Sequence, residues 1–314
     1  DGVPVFLSQE AWDKIKREQR DTVAAQFLQN PLSGKEQTFL TKWLKPYWVR
    51  PNMLNVYIMG DPSKGKSKTS DRTAIAVVGI DVNANKYLLD GYCHRMPLSE
   101  RWDRLRELHK KWSAMPGVQS VRVGYERYGM QTDDEYFDER MRQSGTRFEI
   151  IELNWTGDAG GESKGKRISR LEPDFRHGEF FVPGKVWHTF ADANGQIKHG
   201  EARWFLQLED VKDEAGNIIT RADDNIHYRL NPGLHAEERR VKQSGEHWRV
   251  FDAIRRIDED KNIYDLTRIF FQEYALHPFA PRDDLIDAVS RIYDMEPMPA
   301  IRHEVVHIED YPDA

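Results

Sequence analysis

The sequence is poor in the residues that staple or anchor a chain. Cys93 is its one cysteine, which excludes a disulfide framework and a cysteine-rich zinc site and fits a reducing compartment. No apolar run approaches the ~18 residues that a membrane-spanning helix needs, and no stretch at the start has the pattern of a signal peptide. There is no excess of positive charge either: 46 basic residues face 52 acidic ones, a net charge of −6. Nucleic acid is therefore not favoured by composition, although a local basic patch can bind phosphate on an acidic protein. No tandem repeat suggests a solenoid. The chain opens at Asp1 rather than Met, as part of a longer polypeptide or a processed one would.

What is present is a chain of 314 residues, enough for one large or two ordinary domains. Residues 1–50 are polar and helical in pattern. Ser8 is placed to cap a helix with Trp12 and Ile15 on one face, and a stretch rich in Pro, Gly and Trp follows. Then come apolar runs of strand length at 53–60 and 73–81, and a third strand at 86–92. Ser99 is placed to cap a helix with Trp102, Leu105, Leu108 and Trp112 on one side. Alternation predicts a strand at 118–126, followed by a helix at 130–144 and a strand at 147–153. The order β-β-β-α-β-α-β points to a mixed sheet with helices on its faces. Residues 155–165 read as a Gly-rich loop, "GKRISRLEPDFRHG" as a helix stopped by Gly178, and "EFFVP" as a short strand. Turn signals across 190–230 read as an inserted β-hairpin region. The last helix, "PRDDLIDAVSRIYD", buries Leu285, Ile286, Val289 and Ile292.

The stretch "MGDPSKGKSKTS" has Gly60, four residues, then Gly65, Lys66 and Ser67, the spacing of a nucleotide-binding P-loop. Such a loop needs a helix directly after it, and here the next segment is strongly β-like. No apolar run ends in the Asp-Glu of a Walker-B strand. A hairpin with Lys64, Lys66 and Lys68 in its loop is the expected structure, and a P-loop ATPase is the reading set against it.

Asp61 then stands at the end of the first strand and Glu126 at the end of "VRVGYE". Each is either a solvated turn or strand end or a charge kept near the core for chemistry, since burying charge is costly. Asp283, Asp284 and Asp287 open the last helix, where acids complement the helix dipole. Asp284 and Asp287, three apart, also share a face, and their repulsion eases if a cation lies between them. Carboxylate oxygens are the ligands that Mg²⁺ and Mn²⁺ prefer. Acids from separate elements converging at one sheet edge are what two-metal phosphoryl transfer requires, with the ions ~4 Å apart. Phosphate contacts would come from Lys64, Lys66 and Lys68, and from Lys164, Lys166, Arg167 and Arg170 in "KGKRISR", which has no acid within it. Each basic run is otherwise a solvated face. His177, His188 and His199 are scattered and read as surface or structural.

Four stretches in this order, "MGDPSKGKSKTSDRTAIAVVGID", "GYERYGMQ", "SKGKRISRLEPDFRHGEFFVP" and "FFQEYALHPFAPRDDLIDAVSRIYD", resemble the nuclease domain of the large terminase subunit of tailed phages, within the ribonuclease H-like superfamily. The resemblance covers roughly residues 53–295. It implies a ribonuclease H-like domain at 51–296, with the insertion at 190–230, an arm at 1–50 and a tail at 297–314. It also implies a metal-dependent endonuclease that cuts double-stranded DNA concatemers during genome packaging in the host cytoplasm, with two divalent ions, Mg²⁺ or Mn²⁺. Asp61, Glu126, Asp284 and Asp287 would be ligands. Asp61 would bridge the ions, and Asp284 or Asp287 could instead orient the attacking water. Partners implied for the full protein are an ATPase domain, the small terminase subunit and the portal, with no membrane. Arg282 stands where the family often has His. A junction resolvase of the same superfamily and a non-catalytic DNA-binding or docking module are the alternatives.

Overall fold

A computed structural model describes residues 37–63, 72–126, 131–153, 164–184 and 248–302, with short stretches between 189 and 229. The expected N-terminal helix, the hairpin loop 64–71, the loop 154–163 and the tail beyond 302 lie outside the described residues.

After the short β1 (Lys45–Tyr47), the runs rich in β-branched and small apolar residues extend as β2 (Leu54–Asp61), β3 (Thr73–Ile80) and β4 (Lys86–His94). They pair antiparallel in succession. Every residue of β3 is buried, which explains why its sequence does not alternate: both faces are covered. α1 (Leu98–Ser113) crosses over to β5 (Val118–Glu126), which lies parallel to β2. α2 (Gln131–Ser144) crosses to β6 (Ile150–Leu153), parallel to β5. α3 (Lys164–Ser169) and α4 (Glu172–His177) lead to β7 (Phe180–Pro183), parallel to β4 and β1.

Among the described residues the main sheet has seven strands in the order β1-β7-β4-β3-β2-β5-β6. Its inner part, a three-stranded meander joined by two parallel crossover strands, has the ribonuclease H-like plan. The pleat divides the core into two layers. Val56, Ile58, Ile75 and Val77 face α1 and α2, against Trp102, Leu105, Leu108, Trp112 and Phe137. Tyr57, Met59, Ala74, Ala76 and Val78 face the other way, towards the C-terminal helices.

Short antiparallel pairs fill the described part of 189–265. β8 (Thr189–Ala191) pairs with β9 (Ile197–His199), and β11 (Val211–Lys212) with β12 (Ile218–Thr220). β10 (Arg203–Gln207) lies between β13 (His227–Arg229) and β14 (Trp248–Phe251), so it also reaches beyond a local hairpin. β15 (Arg255–Ile257) and β16 (Ile263–Asp265) form a hairpin ahead of α5 (Leu266–Leu276), which Asp265 caps by accepting from the Thr267 N–H at 2.9 Å. α6 (Asp284–Ser290) is buried along its whole length against β2 and β3.

Three local expectations need correction. The N-cap of α1 is Pro97, and Ser99 sits inside the first turn: the fixed proline φ of −64° sets the entry without a side-chain bond. The strand expected at 147–153 is shorter, Ile150–Leu153. The helix expected over "GKRISRLEPDFRHG" is two helices, because Pro173 opens the second and cannot continue the first. Gly178 does stop it, at φ +72°. No described helix is long and apolar enough to cross a membrane.

Candidate active site

Gly60 lies opposite Tyr125 in the parallel β2–β5 pair, and each strand ends one residue later, at Asp61 and Glu126. Pleat alternation sends Tyr125 to the α1 layer and turns Asp61, like Met59 and Tyr57 before it, towards α6. Asp287, at the end of the first turn of α6, meets them there. All three are buried, with Glu126 and Asp287 at 1% exposure. The Asp61 carboxyl pKa stands well above its ordinary value, first through burial, then through the charges of Asp287 and Glu126, with Lys164 and Arg291 pulling the other way. Three of the four expected acids therefore come together.

Asp284, one turn earlier, is directed elsewhere. Its Oδ2 accepts from Arg72 Nε at 3.2 Å, and Arg72 also donates to Glu273 Oε1 at 2.7 Å. Burial raises the Asp284 pKa against the opposing pull of Arg72 and Lys164. Ligand atoms of Cys93, Glu273 and Asp284 lie within 4.8 Å of one another, a buried acidic and thiol cluster. Its carboxylates are already committed to Arg72 and to backbone N–H groups.

The acids at the strand ends have built-in counter-charges. Arg167 grips Asp287 with two hydrogen bonds, Nε to Oδ1 at 2.8 Å and an Nη to Oδ2 at 2.6 Å. Lys164 Nζ lies 2.7 Å from Asp283 and 3.4 Å from Asp287. The Arg291 guanidinium stands against Glu126 and also binds Asp294 at 3.0 Å. Glu126 Oε2 pairs with Arg291, and Glu126 Oε1 has no hydrogen-bond partner among the described residues. Buried acceptors are ordinarily satisfied. By donor type the carboxylates of Asp61, Glu126 and Asp287 suit a hard divalent cation, whereas the Cys93, Glu273 and Asp284 cluster, whose ligand atoms do lie within 4.8 Å of one another, includes a soft sulfur.

The basic segment differs from its sequence reading at one position. Arg167, expected on DNA, is 4% exposed and spent on Asp287. Lys164 is half-exposed beside the acids, Lys166 is exposed, and Arg170 binds Asp294 at 2.8 Å. Lys64, Lys66 and Lys68 lie outside the described residues. The P-loop reading fails on its flanks: the loop joins two antiparallel strands, and β3 stands where the phosphate-binding helix would be. Arg72, Glu273 and Arg291 were not singled out from the sequence. Glu273 had a signal, being a lone acid among Phe270, Phe271 and Tyr274, and Arg291 had one too, four residues after Asp287.

No protein-family model matches the sequence, and no curated protein matches it. Among solved structures, the nuclease domain of the human cytomegalovirus terminase is similar at 18% identity, with 46% of this chain and 69% of that chain covered and a TM-score of 0.29. A member of the Ppx/GppA family from Aquifex aeolicus is similar at 14% identity, with 40% of each chain covered and a TM-score of 0.26. At these scores neither likeness extends to chemistry, which rests on the side chains of this chain.

Proposed function

We propose that the chain is a metal-dependent nuclease that hydrolyses phosphodiester bonds in double-stranded DNA, the cutting part of a phage packaging terminase. One observation carries this reading. Asp61, Glu126 and Asp287, all buried, come from β2, β5 and α6 to one sheet edge, where Lys164, Arg167 and Arg291 are their counter-charges. Asp61, Glu126 and Asp287 would hold Mg²⁺ or Mn²⁺, one ion or two, with Asp284 one turn away and held by Arg72. When bound, such ions supply Lewis acidity at the phosphate and a nucleophilic water at neutral pH.

The residues of the chain set the conditions for this. Asp61 must lose its proton before its oxygens can ligate, so metal loading and pH are linked. Lys164, half-exposed beside Asp283 and Asp287, attracts a phosphate to the acids, and Lys166 and Arg170 extend that field along the backbone of a duplex. Of the two residues expected to orient the attacking water, Asp284 is held by Arg72, which leaves Asp287 for that role. Double-stranded DNA, an ATPase domain, the small terminase subunit and the portal are the partners that belong to this proposal, in the cytoplasm of a phage host.

A second reading, a non-catalytic DNA-binding or docking module, draws on the cations: Arg167, Lys164 and Arg291 neutralise the acids without metal. Plasmid cleavage separates the two. With Mn²⁺ or Mg²⁺ the chain should nick or linearise plasmid, EDTA should stop it, and Asp61→Ala should abolish it. Absence of cleavage in either metal favours the docking module. Cleavage that survives Asp61→Ala places the site elsewhere.

A further inference from the structure

Glu273 is a carboxylate where apolar packing would suffice. It lies on α5 between Phe270, Phe271 and Tyr274 and is 3% exposed. Its Oε2 accepts from the backbone N–H groups of Leu285 at 2.8 Å and Ile286 at 2.9 Å. These belong to the first turn of α6, where N–H groups have no partner inside the helix. The local cap position is Asp283, whose side chain makes no capping bond. A residue from another helix thus does the work that a neighbouring Ser or Asp ordinarily does.

The other Glu273 oxygen holds Arg72 at 2.7 Å. Arg72 donates to Asp284 Oδ2 twice, from Nε at 3.2 Å and from its backbone N–H at 3.4 Å. Arg72 directly precedes β3, and β3 pairs with β2 up to Asp61, which lies opposite Ala74. One connected set of bonds therefore joins the α6 backbone, the Asp284 side chain and the strand pair that carries Asp61. α6 has seven residues, too few to hold its own direction by helix hydrogen bonds alone.

We propose that Glu273 and Arg72 are positioning residues, a clamp that fixes the height and rotation of α6 so that Asp287 meets Asp61 and Glu126. The inference rests on the metal-dependent reading of that site. Neither residue touches the reacting atoms; both act through the helix and through Asp284. Partners of this kind around metal ligands typically contribute about 10–100-fold in affinity or activity.

The test is Mn²⁺ titration of the full chain, with free Mn²⁺ followed by its electron paramagnetic resonance signal. Melting of the metal-free protein is measured alongside. Arg72→Ala and Glu273→Ala should each weaken Mn²⁺ binding about 10–100-fold in folded protein. Glu273→Gln keeps an acceptor for the two N–H groups but loses the charge facing Arg72, and should fall between wild type and Glu273→Ala. Arg72→Lys should recover part of the loss of Arg72→Ala. Should Glu273→Ala not fold, Arg72→Ala and Glu273→Gln decide. A purely structural role would lower melting and leave Mn²⁺ affinity intact. Affinity within about twofold of wild type in both Arg72→Ala and Glu273→Gln overturns the clamp, given that such partners ordinarily contribute at least tenfold. Asp61→Asn is the control for the site itself. If wild type binds Mn²⁺ and Asp61→Asn does not, a clamp failure stands alone. If wild type binds none, or Asp61→Asn binds equally, the metal site falls and the clamp with it.

Discussion

A single methyl group at Gly60 should disable the site without touching any acid. A Cβ there would lie 2.6 Å from Tyr125 Cδ2 and 3.1 Å from Cε2. Carbon atoms rest at about 3.5–4.0 Å, so about 1 Å must be found. The ring has little freedom to supply it: the Tyr125 hydroxyl donates to Asp133 at 3.0 Å, the ring packs edge-on against Phe137 at 5.1 Å, and the residue is 3% exposed. The β2 and β5 backbones must part instead, one residue before Asp61 and Glu126. Overpacking of this kind costs about 1–3 kcal/mol, and a displacement of ~1 Å at reacting groups costs about 100-fold in rate. Gly60→Ala should therefore melt lower and cleave plasmid about 100-fold more slowly. Adding Tyr125→Leu removes the ring and should restore much of the rate. Wild-type cleavage and melting in Gly60→Ala would refute the reasoning. A slow variant that Tyr125→Leu does not rescue would place the fault outside this contact.

Arg291→Met leaves the buried Glu126 without its counter-charge. Breaking a buried pair in this way costs about 3–5 kcal/mol, to be read by denaturant titration, and excess Mn²⁺ should return part of it. The pH dependence follows from Asp61, whose carboxyl titrates well above its ordinary value of 3.8 because of burial and then Asp287 and Glu126. Its folded pKa is the higher one, so in that window the metal-free folded state holds more protons than the unfolded chain, and stability falls as pH rises through it. Mn²⁺ affinity should climb over the same window, since ligation needs the ionised form. Asp61→Asn should remove that component from both curves, measured by urea denaturation and Mn²⁺ titration at stepped pH.

The framework of the sheet was legible because its signals are local. A β-branched run such as "TAIAVVGI" extends wherever it lies, and the spacing of Trp102, Leu105, Leu108 and Trp112 faces one way only on a helix. The acids at the strand ends could be read for the same reason, since a charge closing an apolar strand stands out. The division of labour between Asp284 and Asp287 could not be read. Three residues apart they share a face, and what separates them is Arg72 and Glu273, brought in from distant segments. The run "KGKRISR", with no acid within it, read as a set of phosphate contacts or a solvated face, yet Arg167 finds its acid 120 residues later. Local periodicity carries no record of such pairings. The Ser99 cap was displaced by a proline whose φ needed no hydrogen bond.

The order in which these acids occur along the chain also sets a schedule. Asp61 and Glu126 leave the ribosome before α6, with the central strands of the sheet around them, and α6 follows only after β7 and the short strand pairs. Under the proposed activity, a nascent chain, or one clipped before Asp284, carries two of the three acids and none of the helix that completes them. Cutting power then arrives at one moment, when a seven-residue helix settles onto a finished sheet, and nearby nucleic acid is safe from the half-made protein.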